Sequence, residues 1–164
     1  MQNGKPMFEG RLLGIYIAGA KSTPLGRVEE VQAVPGSGLA GDRYFFEQGT
    51  FSKPAGPDRE VTLIEMEAIE ALLRDCRINL DPGEARRNLV THGVPLNHLV
   101  GKDFSIGDVV LHGIRLCEPC GHLESLTVKG IKEGLCHRGG LRAQILHGGV
   151  LRSGDVIRPV VSGE

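Results

Sequence analysis

The apolar residues of this chain fall mostly in short runs separated by glycine, proline and charged turns, and the alternation within those runs predicts strands. Residues 10–18 read as a first strand, with Leu13, Ile15 and Ile17 on one face and Leu12, Tyr16 and Ala18 on the other. Both faces are apolar, which predicts burial on two sides. Residues 28–34 form a second strand candidate, ended by Pro35-Gly36-Ser37-Gly38, and residues 61–64 a third. Asp81-Pro82-Gly83 marks a turn, after which Arg86-Arg87-Asn88-Leu89-Val90 leads into a further strand. Three short strands at 104–106, 109–111 and 114–116 are spaced as in a meander, separated by Gly107-Asp108 and His112-Gly113. Strands at 141–146 and 156–161 close the chain, joined through glycine turns at Gly148-Gly149 and Ser153-Gly154-Asp155.

Helical spacing is rarer. Residues 65–74 give the clearest case, with Met66, Ile69, Leu72 and Leu73 on one face. Residues 122–131 suggest a second helix through Leu123, Leu126 and Ile131, and residues 94–100 a single turn. Residues 48–58 carry breakers among polar residues and read as an exposed loop. With no internal repeat and no linker, the pattern predicts one domain over residues 1–164, mainly β with a few helices (α+β).

Composition supports this picture. The chain has 164 residues, enough for one domain with a substantial core, and 24 glycines against no tryptophan, which suits many tight turns. Nineteen basic and 20 acidic residues leave a formal charge of -1, so no global field draws the protein to nucleic acid or membrane. No apolar run is long enough to span a bilayer, and the first ten residues lack a signal-peptide core. The expected location is the cytoplasm, with Cys76, Cys117, Cys120 and Cys136 reduced and Cys76 a small buried hydrophobe.

The densest candidate chemistry lies in Leu116-Cys117-Glu118-Pro119-Cys120-Gly121-His122. Cys117 alternates with Arg115 on a strand and reads as packing. Cys120 follows a proline at the strand end, where a helix starting there would aim free N–H groups at its sulfur and favour a thiolate. Other readings of the thiols are open: Cys117, Cys120, Cys136 and His137, with His122 as a substitute, loosely suggest a zinc ribbon, and Cys-Glu-Pro-Cys has redox-pair spacing without the βαβ context that motif needs. Three glycine-flanked or turning segments carry guanidinium groups: Gly41-Asp42-Arg43, Arg86-Arg87-Asn88 and Arg138-Gly139-Gly140. Arginine binds phosphate and carboxylate through paired N–H donors, and glycine lets a ligand approach the backbone, so together these loops predict an anion pocket.

In order and spacing, these segments resemble the MOSC family, the domain named for the C-terminus of molybdenum cofactor sulfurase. The resemblance runs from about Leu39 to Val160 and rests on Gly38-Leu39-Ala40-Gly41-Asp42-Arg43, Arg86-Arg87-Asn88-Leu89-Val90, Leu116-Cys117-Glu118-Pro119-Cys120 and His137-Arg138-Gly139-Gly140-Leu141-Arg142. It implies a compact β-barrel-like fold and an essential cysteine at Cys120. It also implies handling of molybdenum cofactor, with Cys120 as persulfide carrier or as molybdenum ligand. On that reading Gly41, Asp42, Arg43, Arg87, Asn88, Arg138 and Gly139 hold the anionic cofactor, and His122 moves a proton to or from sulfur. The chain has no room for the pyridoxal-phosphate desulfurase domain of the full sulfurase, so it binds no pyridoxal phosphate by itself. A sulfur relay then needs a partner cysteine desulfurase and a molybdoenzyme acceptor, and a reductase of N-hydroxylated compounds needs a redox partner protein. Two alternatives from other classes are a non-enzymatic cofactor carrier and a zinc-stabilised interaction domain.

Overall fold

A computed structural model describes residues 7–20, 22–45 and 56–161. The strands are β1 (Gly10–Ile17), β2 (Gly26–Val28), β3 (Glu30–Val34), β4 (Gly38–Leu39), β5 (Val61–Glu65), β6 (Leu89–His92), β7 (Asp103–Ile106), β8 (Val109–Leu116), β9 (Leu141–His147), β10 (Gly149–Arg152) and β11 (Val156–Pro159). The helices are α1 (Met66–Cys76), α2 (Gly121–Leu126) and α3 (Ile131–Gly134). Residues 46–55, most of the loop expected at 48–58, lie outside the described residues.

Seven strands close into a mixed barrel in the order β1-β6-β5-β9-β8-β7-β11. The closing contact is antiparallel, Gly10 opposite Ile157 and Arg11 opposite Val156, and only the β5–β6 pair is parallel. Closure removes the exposed edges that an open sheet would present. A second sheet, β10-β3-β4, packs Val31, Ala33, Leu39 and Leu151 onto the barrel core. Glu60 ties the two sheets together: its Oε1 accepts from the Gly36 N–H at 3.2 Å and the Ile145 N–H at 3.0 Å.

The two-sided burial expected of the first strand is present, but the faces differ from strict alternation. Leu12 and Ile15 both enter the barrel core, while Leu13 and Tyr16 pack against a second apolar cluster outside it. A bulge between Leu12 and Gly14 in the pairing with β6 inserts one residue and flips the pattern. Strands β5 and β6 do alternate: Leu63 and Leu89 point inward, Ile64 and Val90 outward. The outer cluster is completed by Ala68, Ile69 and Leu72 of α1, Leu123 of α2, and Ile131 and Leu135 at α3. Helix α1 thus buries the expected stripe except for Leu73, which is half exposed; the inner face runs through Ala68 and Ala71 instead. The helix ends where Arg77 turns left-handed (φ 58) and its N–H, with that of Ile78, returns to the carbonyls of Leu73 and Leu72.

Five other expectations are corrected. Cys76, the last residue of α1, is exposed rather than buried. The helix expected over 122–131 is two short helices, broken where Gly130 takes φ +102. The strands expected at 109–111 and 114–116 are one strand, β8, continuous through Gly113: a Cβ there would sit 2.0 Å from the Leu99 carbonyl oxygen, so the glycine serves close backbone approach and not a turn. Between the turns expected at Gly148-Gly149 and Ser153-Gly154-Asp155 lies a strand not expected, β10, which begins at Gly149, and residues 28–34 divide between the two sheets.

Candidate functional site

Where β8 runs out, the backbone passes Cys117 and Pro119 and enters α2 with Cys120 as its N-cap residue. Cys120 is half buried against the outer apolar cluster and opens on its other side into a cleft of about 220 Å³. Cys117 is 2% exposed and belongs to the wall. Six arginines line the same cleft: Arg43, Arg59, Arg86, Arg87, Arg115 and Arg142. Glu118 is the one carboxylate lining it among the described residues, beside Tyr44, Thr62, His122 and Leu123. Six guanidinium groups against one carboxylate make this a strongly cationic recess on a chain of formal charge -1.

The arginines arrive from several segments and are held by backbone carbonyls and by the carboxylates of Asp42 and Asp58. Arg43 follows β4 through a turn at Gly41 (φ +91), a conformation that favours glycine. Asp42 is fully buried beneath it and accepts from Arg43 Nη1 at 3.2 Å, the Ala18 N–H at 3.0 Å and the Tyr44 N–H at 3.4 Å. Arg43 also lies over the Tyr44 ring, 4.5 Å from its centre. Arg87 donates from Nε to the Gly139 carbonyl at 2.8 Å, from Nη2 to the Cys117 carbonyl at 3.1 Å and from Nη1 to the Ala85 carbonyl at 3.4 Å. It therefore clamps the cysteine segment to the 139–140 loop. Gly139 permits that clamp, since a Cβ there would lie 2.6 Å from the Cys117 carbonyl oxygen.

Electrostatics differ across the cleft. Burial, followed by the charge of Arg43, pushes the Arg86 guanidinium below its ordinary value. At the opposite side Arg115 Nε donates to Asp58 Oδ2 at 2.9 Å, and Arg142 Nη1 to the Asp58 carbonyl at 3.3 Å. Partial burial raises the Asp58 carboxyl, but the Arg115 hydrogen bond and the charges of Arg59, Arg115 and Arg142 outweigh it, and the net direction is downward. Asp58 thus stays ionised and neutralises part of one cationic wall.

The structure brings Cys120, His122, Arg43 and Arg87 to one cleft. It places Asp42, Asn88 and Gly139 behind it. Asn88 is fully buried; its Oδ1 accepts from the Thr62 N–H and hydroxyl, each at 3.2 Å, and its Nδ2 donates to the Tyr16 carbonyl at 3.1 Å. Asn88 is a brace rather than a ligand contact. Arg138 is elsewhere: it donates to the Gly134 carbonyl at 2.8 Å and pairs with Asp75 at 3.1 Å, away from the cleft. The cleft also contains Arg86, from a segment expected to form the anion pocket though not itself named as a cofactor contact, and Arg59, Arg115 and Arg142, which sequence reasoning did not select. Arg115 was within reach of it, one turn of strand alternation from Cys117; Arg59 and Arg142 carry no local signal. The thiols do not assemble as a zinc ribbon. Among the described residues, the group of three donors close enough for one ion is Glu118, Cys136 and His137, and it leaves out Cys117 and Cys120.

The sequence profile of the MOSC domain matches residues 52–158. This chain belongs to the MOSC domain family. That family is associated with molybdenum cofactor binding. The fold agrees with solved structures of low sequence identity. YuaD from Bacillus subtilis superposes with a TM-score of 0.76 at 18% identity, covering 93% of this chain and 96% of that one. YiiM from Geobacillus stearothermophilus gives a TM-score of 0.71 at 15% identity, over 94% of this chain and 76% of its own. YiiM from Escherichia coli gives 0.65 at 17% identity, over 98% and 72%. No curated protein sequence matches the chain. Among the described residues, no helix is long and apolar enough to cross a membrane.

Proposed function

We propose that this MOSC protein binds molybdenum cofactor in the arginine cleft, with Cys120 as the soft ligand to its metal. The observation that carries the reading is one thiol opening into a recess lined by six guanidinium groups. A cofactor bearing phosphate and a thiophilic metal needs that donor set: planar N–H forks for the anionic end and sulfur for the metal. At about 220 Å³ the cleft is smaller than pockets that enclose a whole drug-sized ligand, so it grips part of the cofactor and leaves the rest at the surface.

When bound, the cofactor would supply a molybdenum centre for two-electron chemistry. The chain's own residues do the rest. Arg43, Arg86 and Arg115 hold the anionic groups; Asp42 and the Arg87 clamp keep their loops in register. Cys120 is held against an apolar cluster on a short helix, a fixed setting that suits a ligand better than a swinging sulfur carrier. His122, on the first turn of α2 and in the cleft lining, would move the proton. Turnover on N-hydroxylated compounds then requires electrons from a separate redox protein. A persulfide relay, fed by a desulfurase and emptied into an acceptor molybdoenzyme, is the second outcome that the test separates.

The test is reconstitution of purified protein with molybdenum cofactor, followed by fluorescence of the pterin, metal analysis and intact mass. Cys120→Ser should retain both pterin and molybdenum within a few-fold but shift the absorption bands of the metal, and Arg86→Gln with Arg115→Gln should lose both. A mass increment of one sulfur atom on Cys120 after incubation with a cysteine desulfurase and cysteine would assign the relay instead. Cys120→Ser with unchanged metal absorption bands would leave a passive carrier.

A further inference from the structure

We infer that Glu118, Cys136 and His137 form a binding site for a divalent ion of zinc's class, three-coordinate from protein and open at the fourth position, on the rim of the arginine cleft. Their ligand atoms, a carboxylate oxygen, Sγ and a ring nitrogen, all lie within 4.8 Å of one another. A tetrahedral zinc with sulfur at about 2.3 Å and nitrogen or oxygen at about 2.1 Å sets donors roughly 3.5 Å apart, so small side-chain rotations close the set. Adjacent side chains rarely chelate one ion from extended backbone, because they point to opposite faces. Here His137 has φ 63, a left-handed conformation uncommon outside glycine, and it carries the ring back toward the same carboxylate as the preceding thiol.

The arrangement is held before any ion arrives. The His137 N–H donates to Glu118 Oε1 at 2.8 Å, and Asn97 Nδ2 donates to the His137 carbonyl at 2.7 Å. Both sides of the His137 peptide are therefore pinned, and the two Glu118 oxygens are oriented. His137 Nδ1 lies 3.0 Å from Glu118 Oε2, so these two ligand atoms already face one another. All three side chains are exposed, which leaves an entry path and an open coordination position toward solvent. Thiolate, imidazole and carboxylate together select zinc or cobalt over magnesium or calcium, which prefer oxygen alone.

The site does not depend on the cofactor reading, but it touches the cleft. Glu118 is the carboxylate of the cleft lining, two positions from Cys120. An ion there neutralises that carboxylate and makes the rim more cationic.

The experiment is a titration of chelator-treated, reduced protein with cobalt(II), read by the thiolate-to-cobalt charge-transfer band and by calorimetry, and repeated with zinc. The expected result is one ion per chain, with the band retained in Cys120→Ser and Cys76→Ser and lost in Cys136→Ser. His137→Asn, which tolerates the left-handed backbone, should weaken binding at least tenfold. Unaltered circular dichroism and thermal midpoints in these surface variants would exclude unfolding as the cause. A band that survives Cys136→Ser, a band that disappears in Cys120→Ser, or no binding above the level of the Cys136→Ser variant would each overturn the assignment.

Discussion

Asp42 is fully buried and sits under a guanidinium that is itself only 4% exposed. Taking away one partner of such a pair leaves an uncompensated buried charge, a change that costs about 3–5 kcal/mol. Asp42→Ala should therefore lower the unfolding free energy from urea titration by an amount in that range, while Asp42→Asn, which keeps an acceptor for the Ala18 N–H, should lose less. The same residue was read from the sequence as a cofactor contact, and so was Asn88. Both are polar, lie beside arginine and flank the cleft in the chain, yet their side chains are consumed by backbone N–H groups and carbonyls. Residue type and neighbourhood showed that they matter near the site. Whether a polar atom faces a ligand or a peptide is set by tertiary packing, which no local pattern carries.

Among the elements, the short link between the two sheets is the sharpest case. Glu60 is buried and accepts two backbone N–H groups from β9 and the turn before β4. Glu60→Ala strands the buried Ile145 N–H, at a cost of about 1–3 kcal/mol, and leaves the exposed Gly36 N–H to water, whereas Glu60→Gln keeps the accepting oxygen and should be near neutral. Burial raises the Glu60 carboxyl above its ordinary value, with the Ile145 and Gly36 N–H groups opposing. The fold thus binds this proton more readily than the unfolded chain does. Its contribution is complete below the ordinary carboxylate value and is lost as pH rises through the raised one. Glu60→Gln should remove that fall, which thermal midpoints measured across the acidic range would record. Strand and helix identities were largely legible because alternation and helical spacing are local. The exceptions have local causes of another kind: a bulge at Leu12–Gly14 swapped two faces, and Gly113 was read as a break when it serves the approach of Leu99.

At the scale of the whole molecule, the closed barrel turns scattered basic residues into one recess. Arg43, Arg86 and Arg115 come from three segments of the chain and meet only because β6, β5, β9 and β8 stand side by side. The sequence indicated an anion pocket and the thiol beside it, but named Arg138, which turns away to Asp75, and omitted Arg142. A convergence of this sort is a property of topology. Inorganic pyrophosphate serves as a probe of such a cationic recess, and its binding should depend on salt, since partly exposed charges are screened over about 8–10 Å at physiological ionic strength. Raising salt well above that level should weaken pyrophosphate binding several-fold, and Arg86→Gln should flatten the dependence.

The most direct test of the cleft as a cofactor site is the molybdenum and pterin content of this protein purified from a host that makes molybdenum cofactor. Both should co-purify in equal amounts with the wild-type chain, both should be lost from Arg86→Gln with Arg115→Gln, and the metal's absorption bands should shift in Cys120→Ser. Wild-type protein that is folded, reduced and free of both would contradict that role for the cleft.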